Sequence, residues 1–250
     1  MAVLLLLGAC NKFLPPKDRV IALEGATLID GAGGDPKRDA LIIIRNGHIE
    51  AVAHVNEIPV PRGAEEISLV GKTIIPGLID SHAHVERWAT QRYLAWGVTT
   101  VRDLHGATDT ALALRSQMNL GSILGPRMFT AGAMIDGVPP TYPNATGVST
   151  PDEARRAADQ HAVAGVDYLK VYTKITPMLL RALLDEAGKL RLPVAAHLGQ
   201  TDALTAARAG VVSIEHMAGV VQAATGDATY SYAHSNFLTG WPVEEKGWAG

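Results

Sequence analysis

The sequence predicts an α/β fold in which a short β-rich segment precedes the strand–helix units of a parallel (β/α)8 barrel. Two observations lead to this prediction. Short runs of β-branched residues separated by glycine turns occupy residues 20–75, a pattern typical of a small sandwich. From residue 73 onward, apolar strands alternate with helices whose capping residues can be identified, and this alternation is typical of a parallel sheet.

The β-rich segment contains three apolar runs, at residues 20–23, 41–44 and 49–52. Asn46 and Gly47 separate the last two runs, and this dipeptide between apolar runs is a strong signal for a tight hairpin. We therefore expect antiparallel strands here and a boundary between two domains after residue 75.

The remainder of the chain, residues 76–250, contains the strand–helix units. The first predicted strand begins just before this boundary, and the six strands span 74–80, 98–103, 127–131, 167–172, 193–197 and 211–215. Thr150 and Glu153 form the pattern of a capping box that begins a helix ending at Gly165. Two further helices begin near Thr176 and Thr201. A complete barrel usually takes about 250 residues, and residues 76–250 are too few for it. We therefore expect six of its eight units.

Composition excludes several classes of protein. The chain has 250 residues, of which 47% are hydrophobic and 19% charged, so it can bury a sizeable core. A net charge of -3 excludes a strongly basic nucleic-acid-binding protein. The single cysteine excludes both an intramolecular disulfide framework and a cysteine-rich zinc module.

The first ten residues are similar to the export signal of a bacterial lipoprotein. A leucine run ends in Leu7, Gly8, Ala9 and Cys10, which resembles a lipobox whose cysteine becomes lipidated. The run is too short to span a bilayer and has no basic region before it, so we expect the true start upstream. Residues 1–19 are then a signal and tether, and the protein is exported to the periplasm or outer membrane. The alternative is an apolar start with one buried cysteine.

Four histidines and one lysine lie in or directly after predicted strands. His82 and His84 are two residues apart and share one face of the first strand. Lys170 lies in the fourth strand, and His197 and His216 end or follow the last two. In a parallel barrel these strand ends open on one face, where active sites lie. Nitrogen ligands combined with oxygen bridges suit zinc or a similar divalent ion, although each residue alone is also compatible with a structural role.

Lys170 lies inside an apolar strand, where a bare cation is unfavourable. Burial lowers the pKa of a lysine and makes its amine nucleophilic. Such an amine can react with carbon dioxide to form a carbamate, which is a carboxylate able to bridge two metal ions. The alternative is a lysine whose ammonium group reaches solvent from the strand end.

The segments around these residues resemble the amidohydrolase superfamily. Residues 76–84 resemble its first-strand signature and residues 97–103 its second strand. Together with the segments containing Lys170, His197 and His216, they are similar to the branch of imidazolonepropionase-like proteins and metal-dependent Xaa-Pro or Xaa-Arg dipeptidases. The resemblance implies a TIM-type barrel preceded by the first half of a composite β-sandwich domain.

The resemblance also implies a hydrolase with two divalent metal ions, such as zinc. His82 and His84 would bind the more buried ion, and His197 and His216 the second. Carbamylated Lys170 would bridge both ions. A bridging hydroxide would then attack a carbonyl carbon and cleave a C–N bond in a cyclic amide or a dipeptide.

In the family, an aspartate on the eighth strand moves the proton to the leaving amine. No residue after His216 matches it, so we expect this aspartate to lie beyond Gly250. The chain is then a C-terminally truncated member that is inactive alone.

Other residues are weaker candidates. His105, after the second strand, and Tyr142, in a lid or plain loop over 132–149, are candidates for substrate contact. Asp80 and Asp103 are expected to support the ligands, and His161 to lie on the surface.

Two alternatives remain open from the sequence. The same scaffold hosts deamination and the hydrolysis of esters or phosphotriesters, since one fold serves many reactions. A metal-binding lipoprotein without activity is the second. The expected partner is a small molecule or dipeptide and not a nucleic acid. We expect membrane attachment only through a lipid anchor, and a homo-oligomer remains open.

Overall fold

A computed structural model describes residues 18–226 of the chain. The chain divides into two compact units, one ending at Pro76 and the other beginning at Gly77. Within the described range, none of the helices combines the length and the apolar character that crossing a membrane requires.

Two expectations concern parts of the chain outside the described residues. Cys10, the lipobox-like cysteine, lies before them, and Gly250 lies after them. The expected truncation at Gly250, with the proton-transferring aspartate beyond it, therefore stays a prediction, as does lipidation of Cys10.

The first unit is built on one five-stranded sheet. The second strand pairs antiparallel with the first and third, and the fourth and fifth strands pair parallel with the first. The strands are β1 (Val20–Leu28), β2 (Lys37–Arg45), β3 (His48–His54), β4 (Glu65–Ser68) and β5 (Thr73–Ile74). Asn46 and Gly47 join β2 to β3 with φ values of 50° and 82°, the positive values that a tight hairpin turn favours. The predicted hairpin is confirmed.

The second unit is a mixed α/β fold in which every strand pair of the described residues is parallel. One sheet has the order β6-β7-β8 and the other the order β10-β9-β11-β12-β13. The strands are β6 (Leu78–Ala83), β7 (Val98–Asp103), β8 (Arg127–Thr130), β9 (Ile135–Gly137), β10 (Thr146–Val148), β11 (Leu169–Val171), β12 (Val194–Ala196) and β13 (Ser213–Ile214). The predicted parallel pairing is confirmed.

Helices connect most of these strands. They are α1 (Thr90–Ala95), α2 (Thr108–Asn119), α3 (Pro151–Ala164), α4 (Pro177–Leu190), α5 (Ala203–Ala209) and α6 (Val220–Thr225). The capping box of Thr150 and Glu153 is present at the start of α3, and Gly165 ends that helix in the left-handed conformation. Asp202 caps α5 by accepting a hydrogen bond from the Thr205 amide.

The central strands separate a helix-packed core from a cavity. All three residues of β11 are buried. Leu169 and Val171 pack in a core cluster that includes Leu180 and Leu183 of α4, and burying each such side chain stabilises the fold by about 1.5–3 kcal/mol. Because side chains alternate along a strand, Lys170 faces the other side of the sheet, where it lines a cavity.

One expectation about the surface was wrong, and one of two alternatives is excluded. His161 is only 5% exposed, because it lies on the inner face of α3, where its Nε2 is 3.2 Å from the Thr146 hydroxyl oxygen. The segment 132–149 is not a plain loop, since it contains β9 and β10. Buried Asp136 holds this segment by accepting hydrogen bonds from the amides of Thr141 and Lys174.

Candidate active site

The structure brings the five candidate ligands together around one cavity of about 580 Å³. His82 lies near the end of β6 and His84 directly after it, Lys170 lies in β11, and His197 and His216 follow β12 and β13. The ring centre of His82 lies 5.4 Å from that of His84 and 4.4 Å from that of His216. The rings of His197 and His216 are 4.9 Å apart. Three strand ends and β11 therefore supply one cluster.

Hydrogen bonds orient His82 and His84, the two histidines at the end of β6. The Nδ1 of His84 lies 3.2 Å from the carbonyl oxygen of His105, and the Nδ1 of His82 lies 2.6 Å from a carboxylate oxygen of Glu215. Because both partners only accept, each neutral ring carries its proton on Nδ1. Nε2 is then the atom whose lone pair each ring offers to a ligand position.

The amine of Lys170 is the most unusual group in the cavity wall. The residue is 2% exposed, and its Nζ has no hydrogen-bond partner among residues 18–226. Burial lowers the pKa of Lys170 to about 7, although the nearby Glu215 carboxylate opposes the shift. A large share of the amine is therefore neutral and nucleophilic near neutral pH.

Residues 73–242, more than half of the chain, match the sequence profile of the amidohydrolase family. The chain belongs to the amidohydrolase family. This member is 35% identical over 95 residues to the imidazolonepropionase of Idiomarina loihiensis, across 38% of this chain and 22% of that protein. It is 34% identical over 91 residues to the N-acyl-D-aspartate deacylase of Alcaligenes xylosoxydans xylosoxydans, across 34% of this chain and 18% of that protein.

A solved structure supports the same relationship for this amidohydrolase. The putative prolidase from Bifidobacterium longum superimposes with a TM-score of 0.71 at 30% identity, and the match covers 80% of this chain and 55% of that chain. The amidohydrolase chain therefore spans well under two thirds of the length of each of these relatives.

The sequence analysis missed two charged residues of this amidohydrolase site. Glu215 is 6% exposed and also accepts hydrogen bonds from Arg102 and Ser213. Burial opposes ionisation of Glu215, but the hydrogen bonds from His82 and Ser213 and the charges of Lys170 and Arg102 lower its pKa to about 2. The second missed residue is Arg102. The sequence signal for both was a charged residue at the end of a short apolar strand, Arg102 in 98–103 and Glu215 in 211–215.

The weaker candidates His105 and Tyr142 also line the cavity. His105 accepts a hydrogen bond from the Met134 amide at Nδ1, so its neutral ring donates from Nε2 to the Asn144 side-chain oxygen, 3.0 Å away. Burial lowers the pKa of His105 and favours this neutral form. Tyr142 is 45% exposed, and its ring lies 5.7 Å from that of His105. Asn144 is a cavity residue that the sequence analysis did not identify.

The two supporting carboxylates act on the strand ends. Asp80 accepts a hydrogen bond from the His82 amide at 3.1 Å. Asp103 accepts from the Val85 amide and the Thr130 hydroxyl. Burial raises the pKa of Asp103, although these hydrogen bonds oppose the shift. Both carboxylates therefore fix the backbone and side chains around the end of β6.

The donor set of the amidohydrolase site fits divalent metal ions in its chemistry. As the side chains stand, residues 18–226 hold no group of three or more His, Cys, Asp and Glu arranged to bind an ion. A carbamate on the buried Lys170 amine would add two oxygens to the cavity that the four histidines line. Histidines whose Nδ1 is already hydrogen-bonded are the arrangement that metal-binding imidazoles require.

Proposed function

We propose that this amidohydrolase is a metal-dependent hydrolase of C–N bonds that acts on a cyclic amide or a dipeptide. The observation that carries the proposal is that four histidines and Lys170 line one cavity, and that the Lys170 amine forms no hydrogen bond within the described residues. Membership in the family and relatives named a deacylase and a putative prolidase support the reaction class.

We assign the ligands as the resemblance implies. His82 and His84 would hold one ion and His197 and His216 the other, and a carbamate on Lys170 would supply oxygen ligands to both. When bound, two zinc or similar ions supply an activated water and polarise the carbonyl group of the substrate. The low pKa of the Lys170 amine supports carbamylation, because only the neutral amine adds to carbon dioxide.

The remaining side chains position the substrate. His105 presents an N–H that is already aligned by Met134 and Asn144, so it serves as a fixed polar group at the cavity wall. Tyr142 covers the same side with a half-exposed ring. A small substrate with a carbonyl group fits these contacts better than a polymer.

The strands of this site belong, in this proposal, to a (β/α)8 barrel. Six of its eight strands are β6, β7, β8, β11, β12 and β13, and β9 and β10 form an insertion that carries Asp136. The parallel pairing of neighbouring strands supports this arrangement. We propose residues 20–75 as the first part of a composite β-sandwich, and export with lipidation at Cys10 from the lipobox-like segment alone.

The test is the zinc stoichiometry of the purified protein, followed by a hydrolysis screen over cyclic amides, N-acyl amino acids and dipeptides. Stoichiometry comes first because it tests the metal ligands without the aspartate that moves the proton, which is not assigned among residues 18–226. We expect two ions in the wild type and loss of the second in Lys170→Ala. Lys189→Ala, a surface variant on α4, is the matched control. Two ions in Lys170→Ala would show that the bridging assignment is wrong.

A further inference from the structure

We propose that Glu215 is a positioning residue that holds the His82 ring with its proton on Nδ1 and its Nε2 turned toward the metal position. The inference rests on the proposed function, because it concerns how a ligand is presented. It goes beyond the ligand assignment, which the resemblance implies, since it is drawn from contacts of Glu215 that the sequence did not reveal.

The two oxygens of the Glu215 carboxylate have different partners. Oε2 lies 2.6 Å from the Nδ1 of His82. Oε1 accepts from Nη2 of Arg102 at 2.8 Å and from the hydroxyl of Ser213 at 2.7 Å. One oxygen is therefore tied to the protein frame, while the other is directed at the imidazole.

Arg102 lies in β7 and connects this carboxylate to β6 and β13. Its Nε donates to the carbonyl oxygen of Ser81 in β6, and its Nη1 donates to the Ser213 hydroxyl at 2.9 Å. All three guanidinium nitrogens are thus used on fixed partners, and the planar group cannot turn without breaking several bonds. The carboxylate of Glu215 is fixed relative to β6, the strand that carries His82.

A carboxylate suits this task because it only accepts hydrogen bonds. The His82 ring must place its proton on the side of Glu215, and a ring so held is more basic at the other nitrogen. His84 has a backbone carbonyl in the corresponding position, at the longer distance of 3.2 Å. A carboxylate therefore orients His82, whereas a backbone carbonyl oxygen orients His84.

A purely structural ion pair is the competing explanation, because a buried pair between Arg102 and Glu215 also joins two parts of the fold. The chain offers a matched pair for comparison. Asp167 lies 2.6 Å from Arg115 and accepts from the Thr130 amide, so it is also a partly buried carboxylate in an arginine pair. Asp167 does not line the cavity that holds the candidate ligands, so it serves as the control.

The experiment compares Glu215→Gln, Glu215→Leu and Asp167→Asn with the wild type. Zinc affinity is measured by titration, and the protonated nitrogen of His82 is identified by ¹⁵N imidazole NMR on metal-free protein above about pH 8, where an ordinary histidine is neutral. We expect the Nδ1–H form in the wild type and its loss in Glu215→Leu, with zinc affinity about 10–100-fold weaker. Glu215→Gln keeps an accepting oxygen, so it should retain the Nδ1–H form and recover part of the affinity.

Asp167→Asn should lower the melting temperature but leave the zinc affinity and the His82 signal unchanged. The inference is overturned if Glu215→Leu loses thermal stability while keeping both the Nδ1–H form of His82 and the wild-type zinc affinity. A wild type that binds no zinc overturns the proposed function and with it any role of Glu215 toward a metal. The NMR signal then still distinguishes whether the contact with His82 exists. If Glu215→Leu does not fold, the zinc affinity of Glu215→Gln is the test, and a wild-type affinity in that variant overturns the inference.

Discussion

The ring of Tyr142 lies 5.5 Å from the ring of Tyr172, which follows Lys170 by two residues. Burial raises the pKa of Tyr172, and the neighbouring Tyr142 hydroxyl adds to the shift. A second ring contact joins Tyr172 to His197 at 4.6 Å. An aromatic chain thus runs from the inserted segment to a candidate ligand and forms one wall of the cavity.

Removing this wall should weaken substrate binding more than turnover. For Tyr142→Ala we expect KM to rise up to about tenfold and kcat to change little, since an aromatic contact contributes about 0.5–1.5 kcal/mol. Tyr142→Phe keeps the ring and should lie closer to the wild type. The measurement is steady-state kinetics with the substrate found in the screen. A fall in kcat with KM unchanged would instead place Tyr142 in the chemical step.

Asp136 is expected to be the anchor of the inserted segment. Asp136→Ala would remove the acceptor of the Thr141 and Lys174 amides, and a hydrogen bond to a carboxylate contributes about 1.5–3 kcal/mol. We therefore expect the free energy of unfolding to fall by at least about 2 kcal/mol, as measured by urea denaturation. Asp159→Asn, an exposed position on α3, is the control and should change little. Equal stability of Asp136→Ala and wild type would contradict this role.

Stability should depend on pH through His161. Burial lowers the pKa of His161 below its ordinary value of 6.5, so the unfolded chain takes up a proton that the folded chain resists. Above pH 6.5 both states are neutral and the group has no effect. As the pH falls below that value, the free energy of unfolding decreases until the folded-state pKa is reached.

His161→Gln should flatten this part of the stability profile. Urea unfolding between about pH 5 and 8 measures it, and His48→Gln, on the exposed side of β3, is the control that should keep the wild-type slope. An unchanged slope in His161→Gln would assign the pH dependence to other groups.

Lipidation is tested at the one cysteine of the chain. If Cys10 carries a lipid, Cys10→Ser should move the protein from the membrane fraction to the soluble fraction of the expressing bacterium. Mass spectrometry of the wild type should show an acylated Cys10 at the mature N-terminus. A membrane fraction that is the same for both forms would rule out the lipoprotein hypothesis.

The convergence of the candidate ligands could be predicted because it depends on strand periodicity. His82 and His84 are two residues apart, and His197 and His216 follow apolar runs, so parallel pairing is enough to bring them to one place. The depth of Lys170 followed from the apolar residues on either side of it. These inferences use only the repeat of a strand and the direction of neighbouring strands.

Other parts of the site depend on contacts that the sequence does not encode locally. Glu215 and Arg102 are 113 residues apart, and nothing in either segment indicates that they form a pair. Asp136 stabilises the segment 132–149, whose strands are only three residues long, too short to show a period. His161 is buried although it lies on a helix rich in alanine and charged residues, a composition that does not distinguish the inner face of the helix from its polar face.

The hydrogen bond between His82 and Glu215 spans 133 positions of the chain. Contacts of such high separation form late in folding, because the entropy of closing the loop must be overcome first. A newly made, still extended chain therefore carries scattered histidines rather than a chelating cluster. In the proposed function, metal binding is then coupled to the completion of folding, because the ligands meet only in the folded chain.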